Sequence, residues 1–209
     1  MSILEDVLNK GLAAMVPIYE NGNVTRLVVS NGSDMIDQRT CRTVLKNIAY
    51  IYGTDLASVR RCYGLAINKK NSVPLPLAVN LVLIPVKMRK NPLGKSDGTL
   101  GYVNFKEIDK VKYTDDKGCD VLLKSGSMIH VLVSSVTMKD YMKNAQIVEN
   151  VYVDRHFKVS TRNSSALQVK EECNSHVNKT GYVCDEAYFR RYLLELLREI
   201  LKLQKGQAQ

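Results

Sequence analysis

Six consecutive apolar residues, Leu81 to Val86, constrain the fold of this chain more than any other stretch. The run is short and rich in β-branched side chains, which makes it a buried strand. Four cations follow it closely: Lys87, Arg89, Lys90 and Lys95. Asn91, Pro92, Gly94, Asp97, Gly98 and Gly101 sit among or just after them and break helix and ladder alike, so this segment is a loop. Tyr102, Val103 and Phe105 then restart an apolar pattern. The expected unit is a rigid strand that projects a mobile, positive loop and returns the chain to a sheet. The partner such a loop suits is an anion much larger than a metabolite, namely a nucleic-acid backbone.

Charge is informative once it is located. Of the formal +9, residues 1–37 contribute −3, residues 38–112 contribute +10 and the remainder +2. The whole excess therefore lies in the middle third, where it raises the local potential and favours an acidic partner over simple solubility. Arg39, Arg42, Lys69 and Lys70 belong to the same block as the loop cations. Lys69-Lys70 and Lys87–Lys95 flank the strand in sequence. They fall at its opposite ends unless the segment Pro74–Pro76 carries the chain back alongside it.

The chain around this block alternates β and α patterns. Ser2 to Leu12 has the spacing of a short amphipathic helix. Val16–Tyr19 and Val24–Val29, split by Asn21-Gly22-Asn23, form a hairpin signal. Asp37 is a candidate cap for a helix with Cys41, Val44, Leu45, Ile48 and Tyr52 inward, ended by Gly53. Thr54 is a candidate cap for a second helix, ended by Gly64. A helix-turn-helix reading is weak, because the leading residues of the second helix are Asp55, Leu56, Ala57 and Ser58. Two helices packed on a sheet is the plainer expectation. Ile108 to Val133 reads as a three-stranded antiparallel meander, with His130 as a hydrogen-bonded structural residue. A helix capped at Ser134, Ser135 or Thr137 then runs to about Glu149, with Val136, Met138, Tyr141, Met142 and Ala145 inward. Residues 160–179 are polar and aperiodic. From Asp185 a wide apolar stripe through Phe189, Leu193, Leu196 and Ile200 marks an amphipathic helix, for core docking or subunit pairing. The expected fold is α+β: an antiparallel or mixed sheet meander with flanking helices and a C-terminal amphipathic helix. The expected parts are a core over residues 1–158, a polar linker over 159–184 and the helix over 185–209.

Catalytic signatures are absent. No Walker or dinucleotide glycine loop, nucleophile elbow or zincin motif occurs. Asp115-Asp116 and Glu171-Glu172 fall in a turn and in the polar linker, where solvated charge is the ordinary reading. Cys41, Cys62, Cys119, Cys173 and Cys184 are dispersed without a C-x-x-C pair, which argues for reduced thiols over disulfides or zinc. The expectation is a non-enzyme with no cofactor and no metal. The acidic start and the lack of a long apolar span point to the cytoplasm and away from a membrane.

The order of these pieces from Met35 to His156 resembles the ComK-type competence transcription factors. The residues that carry the resemblance are Met35-Ile36-Asp37 before Arg39-Thr40-Cys41-Arg42, the Lys/Asn turn before Pro74–Pro76, Asn80 with the run to Pro85, and Gly101-Tyr102 before Val103–Ile108. Asp115-Asp116, Val121–Leu123, Ser125-Gly126 and the following helix keep the same order. The resemblance implies a transcription activator that binds A/T-rich boxes of double-stranded DNA, largely through the minor groove. It also implies several subunits on one promoter, hence a homo-oligomer, and a regulatory adaptor protein as a further partner. The segment Leu45–Leu56 is longer than in that family, and the aromatic-proline stretch that its adaptor reads has no counterpart here. The residues expected to meet DNA are Lys87, Arg89, Lys90 and Lys95, supported by Lys69, Lys70, Arg39 and Arg42. Two alternatives compete. The meander also resembles part of a LytTR-type DNA-binding domain. A different class would be a protein-interaction module that uses the C-terminal helix and offers its basic surface to an acidic partner.

Overall fold

The strand at Leu81–Val86 is apolar on both sides because it lies inside a sheet covered on both faces. In the computed structural model, which describes residues 3–94, 97–114 and 118–157, this strand is β5 of a six-stranded antiparallel sheet. The strands are β1 (Leu12–Tyr19), β2 (Asn23–Val29), β3 (Asp34–Asp37), β4 (Leu75–Ala78), β5 (Leu81–Lys87) and β6 (Leu100–Asn104). Their order across the sheet is β3-β2-β1-β6-β5-β4. A separate antiparallel meander of β7 (Ile108–Tyr113), β8 (Cys119–Leu123) and β9 (Met128–Val131) follows. The α+β expectation holds, and all described residues belong to the first of two compact units, which divide after Thr161. The expected linker and C-terminal helix lie outside the described residues, as does Asp115-Asp116.

Alternate residues of the large sheet enter two different cores. Leu81 and Leu83 of β5, Leu75 and Leu77 of β4, Leu27 and Val29 of β2, and Tyr102 of β6 pack with the helices α1 (Ile3–Lys10), α2 (Cys41–Ile51) and α3 (Leu56–Ala66). Val82, Ile84 and Val86, with Val28 and Val103, pack on the other side against Ile108, Val121, Leu123, Ile129 and Val131 of the meander. A strand covered on both faces has no polar side, which is why its sequence does not alternate. The two sheets are also joined through the backbone, where the Leu132 N–H donates to the Lys87 carbonyl at 2.7 Å.

The final described helix, α4 (Ser135–Phe157), serves both cores. Met138 and Ala145 enter the meander side, while Val148, Val151 and Tyr152 pack with the helical side. Ser134 caps it, its Oγ accepting the Thr137 N–H at 3.1 Å. The helix runs past the expected end near Glu149 because Val151 and Tyr152 continue its contact, Tyr152 lying 6.4 Å from Tyr63 of α3. Val136, expected inward, is exposed.

Other expectations are corrected in detail. Thr40, not Asp37, caps α2, and Asp55, not Thr54, caps α3 through its contact with the Ser58 N–H at 2.7 Å. Asp37 ends β3, a short edge strand whose few residues carry no readable period. Gly64 lies inside α3 instead of ending it: a Cβ there would come within 2.6 Å of the Lys69 carbonyl oxygen, where the chain folds back under the helix. Tyr52, expected inward, is a partly exposed C-cap. His130 is exposed on the meander, its Nδ1 2.8 Å from Asp120 Oδ1.

Candidate nucleic-acid interface

Antiparallel register sorts every connection of the large sheet to one of two ends. Met15 pairs with Leu27 and Tyr102, Pro85 also pairs with Tyr102, and Leu83 pairs with Leu75. The β1–β2 tip at 20–22, the β3–α2 junction at 38–40 and the β5–β6 loop at 88–99 therefore share one end. The chain enters β4 from that same end, because Leu75 lies opposite Leu83 while Ala78 lies opposite Leu81. This is the return alongside β5 that allows Lys69-Lys70 and Lys87 to serve one surface. Lys69, Lys70, Lys87 and Lys90 are all exposed, as is Arg42 in the first turn of α2.

Two of the expected contact residues have other roles. Arg89 is only 6% exposed, and its guanidinium is directed inward. Nη1 donates to the Gly98 carbonyl, Nη2 donates to the Ile18 carbonyl and to Asn23 Oδ1, all at 3.1–3.2 Å, and the group lies 3.9 Å over the Tyr19 ring. A guanidinium held in this way is a structural clamp, and the expectation that Arg89 contacts DNA is corrected on that ground. Arg39 is exposed but grips Asp37 in a two-pronged pair at 2.8 and 2.6 Å. Burial alone would raise the Asp37 pKa, but the hydrogen bonds and charge of Arg39 outweigh it and hold the carboxyl below its ordinary value. The pair is locally neutral, so Arg39 adds little to the field. Lys95 lies outside the described residues.

The β5–β6 loop is anchored, not loose, at the positions around Arg89. Tyr19 Oη donates to Asp97 Oδ2 at 2.6 Å and accepts the Leu93 N–H at 2.7 Å. Asn23 Nδ2 and the Gly94 N–H donate to the same carboxylate at 2.9 Å. These bonds, led by that of Tyr19, keep the Asp97 pKa below its ordinary value. Arg89, Tyr19, Asn23 and Asp97 thus bind the loop to the β1–β2 tip and leave Lys87 and Lys90 facing outward. None of the three hydrogen-bond partners of Arg89 was readable as such from the sequence, because two of the contacts span 66 and 71 residues and the third depends on the loop's own path.

Behind this end, two adjoining recesses of about 520 and 370 Å³ run between the sheet and the helices α2 and α3. Arg42, Arg60 and Tyr102 line both. Cys41 lies buried at the wall; desolvation pushes its thiol up to about 11, although a hydrogen bond with Thr25 opposes this, so it is an inert thiol. Among the described residues, no three His, Cys, Asp or Glu side chains converge as a metal site, and no helix is long and apolar enough to cross a membrane. Compared with known proteins, the chain matches no family model and aligns significantly with no curated protein.

Proposed function

We propose that this chain is a DNA-binding transcriptional regulator of the ComK type, acting from the cytoplasm as a homo-oligomer on A/T-rich promoter DNA. One observation carries the reading. Lysines from two segments separated in sequence, Lys69-Lys70 and Lys87 with Lys90, are exposed, and the register brings both segments to one end of the sheet. Of the carboxylates at that end, Asp37 is paired with Arg39 and Asp97 is held by Tyr19, Asn23 and Gly94, while Glu20 is exposed at the β1–β2 tip. An end whose exposed cations outnumber its exposed acids suits a polyanion.

The roles within that surface differ from those expected of the loop alone. Lys69, Lys70, Lys87 and Lys90 are point charges for phosphates and set affinity and register. With Arg89 held inside, the exposed lysines carry the contact, and the strong negative potential of a narrow A/T minor groove favours them. Selection of bound fragments from a pool of random duplexes tests the proposal. Enrichment of phased A-tract and T-tract pairs supports it; a pool with no enriched sequence after repeated rounds overturns sequence-specific binding.

A further inference from the structure

Arg42 and Arg60 are brought together from two helices by the α2–α3 turn, and neither has a carboxylate partner among the described residues. Both are exposed, and both line the two recesses. Between them lies Tyr102, whose ring is buried in the helical core at 7% exposure. Arg60 and Arg42 both favour the charged form of its phenol, Arg60 more than Arg42. Burial raises the pKa of this phenol despite the two arginines, so it keeps its proton at neutral pH and can donate it.

Two carboxylates also lie on these walls, each held by other donors and outnumbered by Arg42, Arg60 and Lys46. Asp97, on the wall of the larger recess, is bonded to Tyr19, Asn23 and the Gly94 N–H. Asp55, on the wall of the smaller one, caps α3 at the Ser58 N–H. Both helices also turn their N-terminal residues toward the recesses, Thr40 and Cys41 from α2, Asp55 to Ala57 from α3. The partial positive charge of those helix ends adds to the field of the two guanidiniums.

Two guanidinium forks and a phenol on the shared walls of two adjoining recesses suit a tetrahedral oxyanion better than a single planar carboxylate. Pro17, Leu45 and Leu100 give the walls apolar patches, Asn23, Thr40, Thr54 and Thr99 add polar ones, Lys46 adds a further cation, and the combined space is that of a small-molecule site. We infer that Arg42, Arg60 and the Tyr102 hydroxyl form a phosphoryl-binding site, set behind the lysine edge and independent of it. The phosphoryl group belongs either to a DNA backbone that reaches into the recess or to a small phosphorylated molecule.

Inorganic pyrophosphate titrated into the full chain at constant ionic strength, followed by calorimetry, tests the site. The expected result is saturable binding that R42Q/R60Q weakens by about tenfold or more, because two charge-assisted contacts are lost. R42K/R60K, which keeps the charge but not the forks, gives an intermediate loss. K87Q/K90Q leaves pyrophosphate affinity within about twofold, since those lysines lie outside the recess. No pyrophosphate binding, or equal binding by wild type and R42Q/R60Q, overturns the proposal. Thermal unfolding of each variant verifies that the fold is retained, and R42K/R60K carries the test should the glutamine variant unfold. Duplex affinity measured at saturating pyrophosphate then identifies the source. Displacement of duplex assigns the site to a backbone phosphate, and unchanged duplex affinity assigns it to a small phosphorylated molecule. Pyrophosphate binding without any duplex binding would sink the DNA reading while leaving this site standing.

Discussion

At the scale of single residues, Lys87 and Arg89 stand two positions apart, and the structure gives them opposite tasks. Lys87 is exposed at the end of a strand, whereas Arg89 is 6% exposed and bonded to two carbonyls and an amide. Residue type alone makes the two equivalent, and their difference comes from Tyr19 and Asn23, which lie far away in sequence. Arg89→Ala would take this donor from the Ile18 and Gly98 carbonyls and from Asn23 Oδ1, and should cost about 2–4 kcal/mol in urea unfolding. K87Q/K90Q should leave the urea midpoint nearly unchanged, within the ordinary range for surface substitutions. A pH effect belongs to the same group of residues. Asp37 and Asp97 have folded pKa values below the ordinary 3.8. Their contribution to stability is therefore full above that value and is lost as pH falls through the folded pKa of each. Thermal midpoints measured from pH 6 downward should fall below about pH 4. In D37N/D97N that acid limb should be shallower, with a lower midpoint at neutral pH because the Arg39 and Tyr19 contacts weaken.

At the scale of elements, the sequence was most legible where burial is strong and local. The run Leu81–Val86 announced β5, the Asn-Gly segment announced the β1–β2 hairpin, and the three runs after Ile108 announced the meander. Periodicity over α2 named Cys41, Val44, Leu45 and Ile48 correctly as its buried stripe. Less legible were elements decided by distant neighbours: β3 exists because β2 offers an edge, and α4 is long because α3 offers Tyr63. The low amphipathicity of α4 follows from its contact with both cores. Two-sided burial of β5 gives a measurable consequence. Leu83→Ala, facing the helices, and Ile84→Ala, facing the meander, should each cost about 2–5 kcal/mol in equilibrium unfolding. A strand with one solvated face would give one large loss and one near zero. Gly64→Ala should also destabilise the fold, by about 1–3 kcal/mol, although alanine favours helix, because its Cβ meets the Lys69 carbonyl oxygen.

At the scale of the whole molecule, topology turns a diffuse basic block into a surface. Charge counting assigned the excess to residues 38–112, but that count could not say which cations are exposed or share an end. The antiparallel order does so: it brings the chain back along β5 through β4, which resolves the apparent separation of Lys69-Lys70 from Lys87. The candidate site was thus legible as a region but not as a set of residues. Arg89 moved from contact to clamp, Arg39 is paired, and Arg60 joined Arg42 only because both line the same two recesses. The central claim is that this end of the sheet binds duplex DNA through exposed lysines. Its most direct test is the slope of log affinity against log salt for an A/T-rich duplex, compared between wild type and a variant with Lys69, Lys70, Lys87 and Lys90 changed to glutamine. The account predicts a steep wild-type slope that is shallower by about 0.9 for each lysine that meets a phosphate, with lower affinity on every duplex sequence. Duplex affinity that is insensitive to salt, or a quadruple variant with the wild-type slope and affinity, would contradict it.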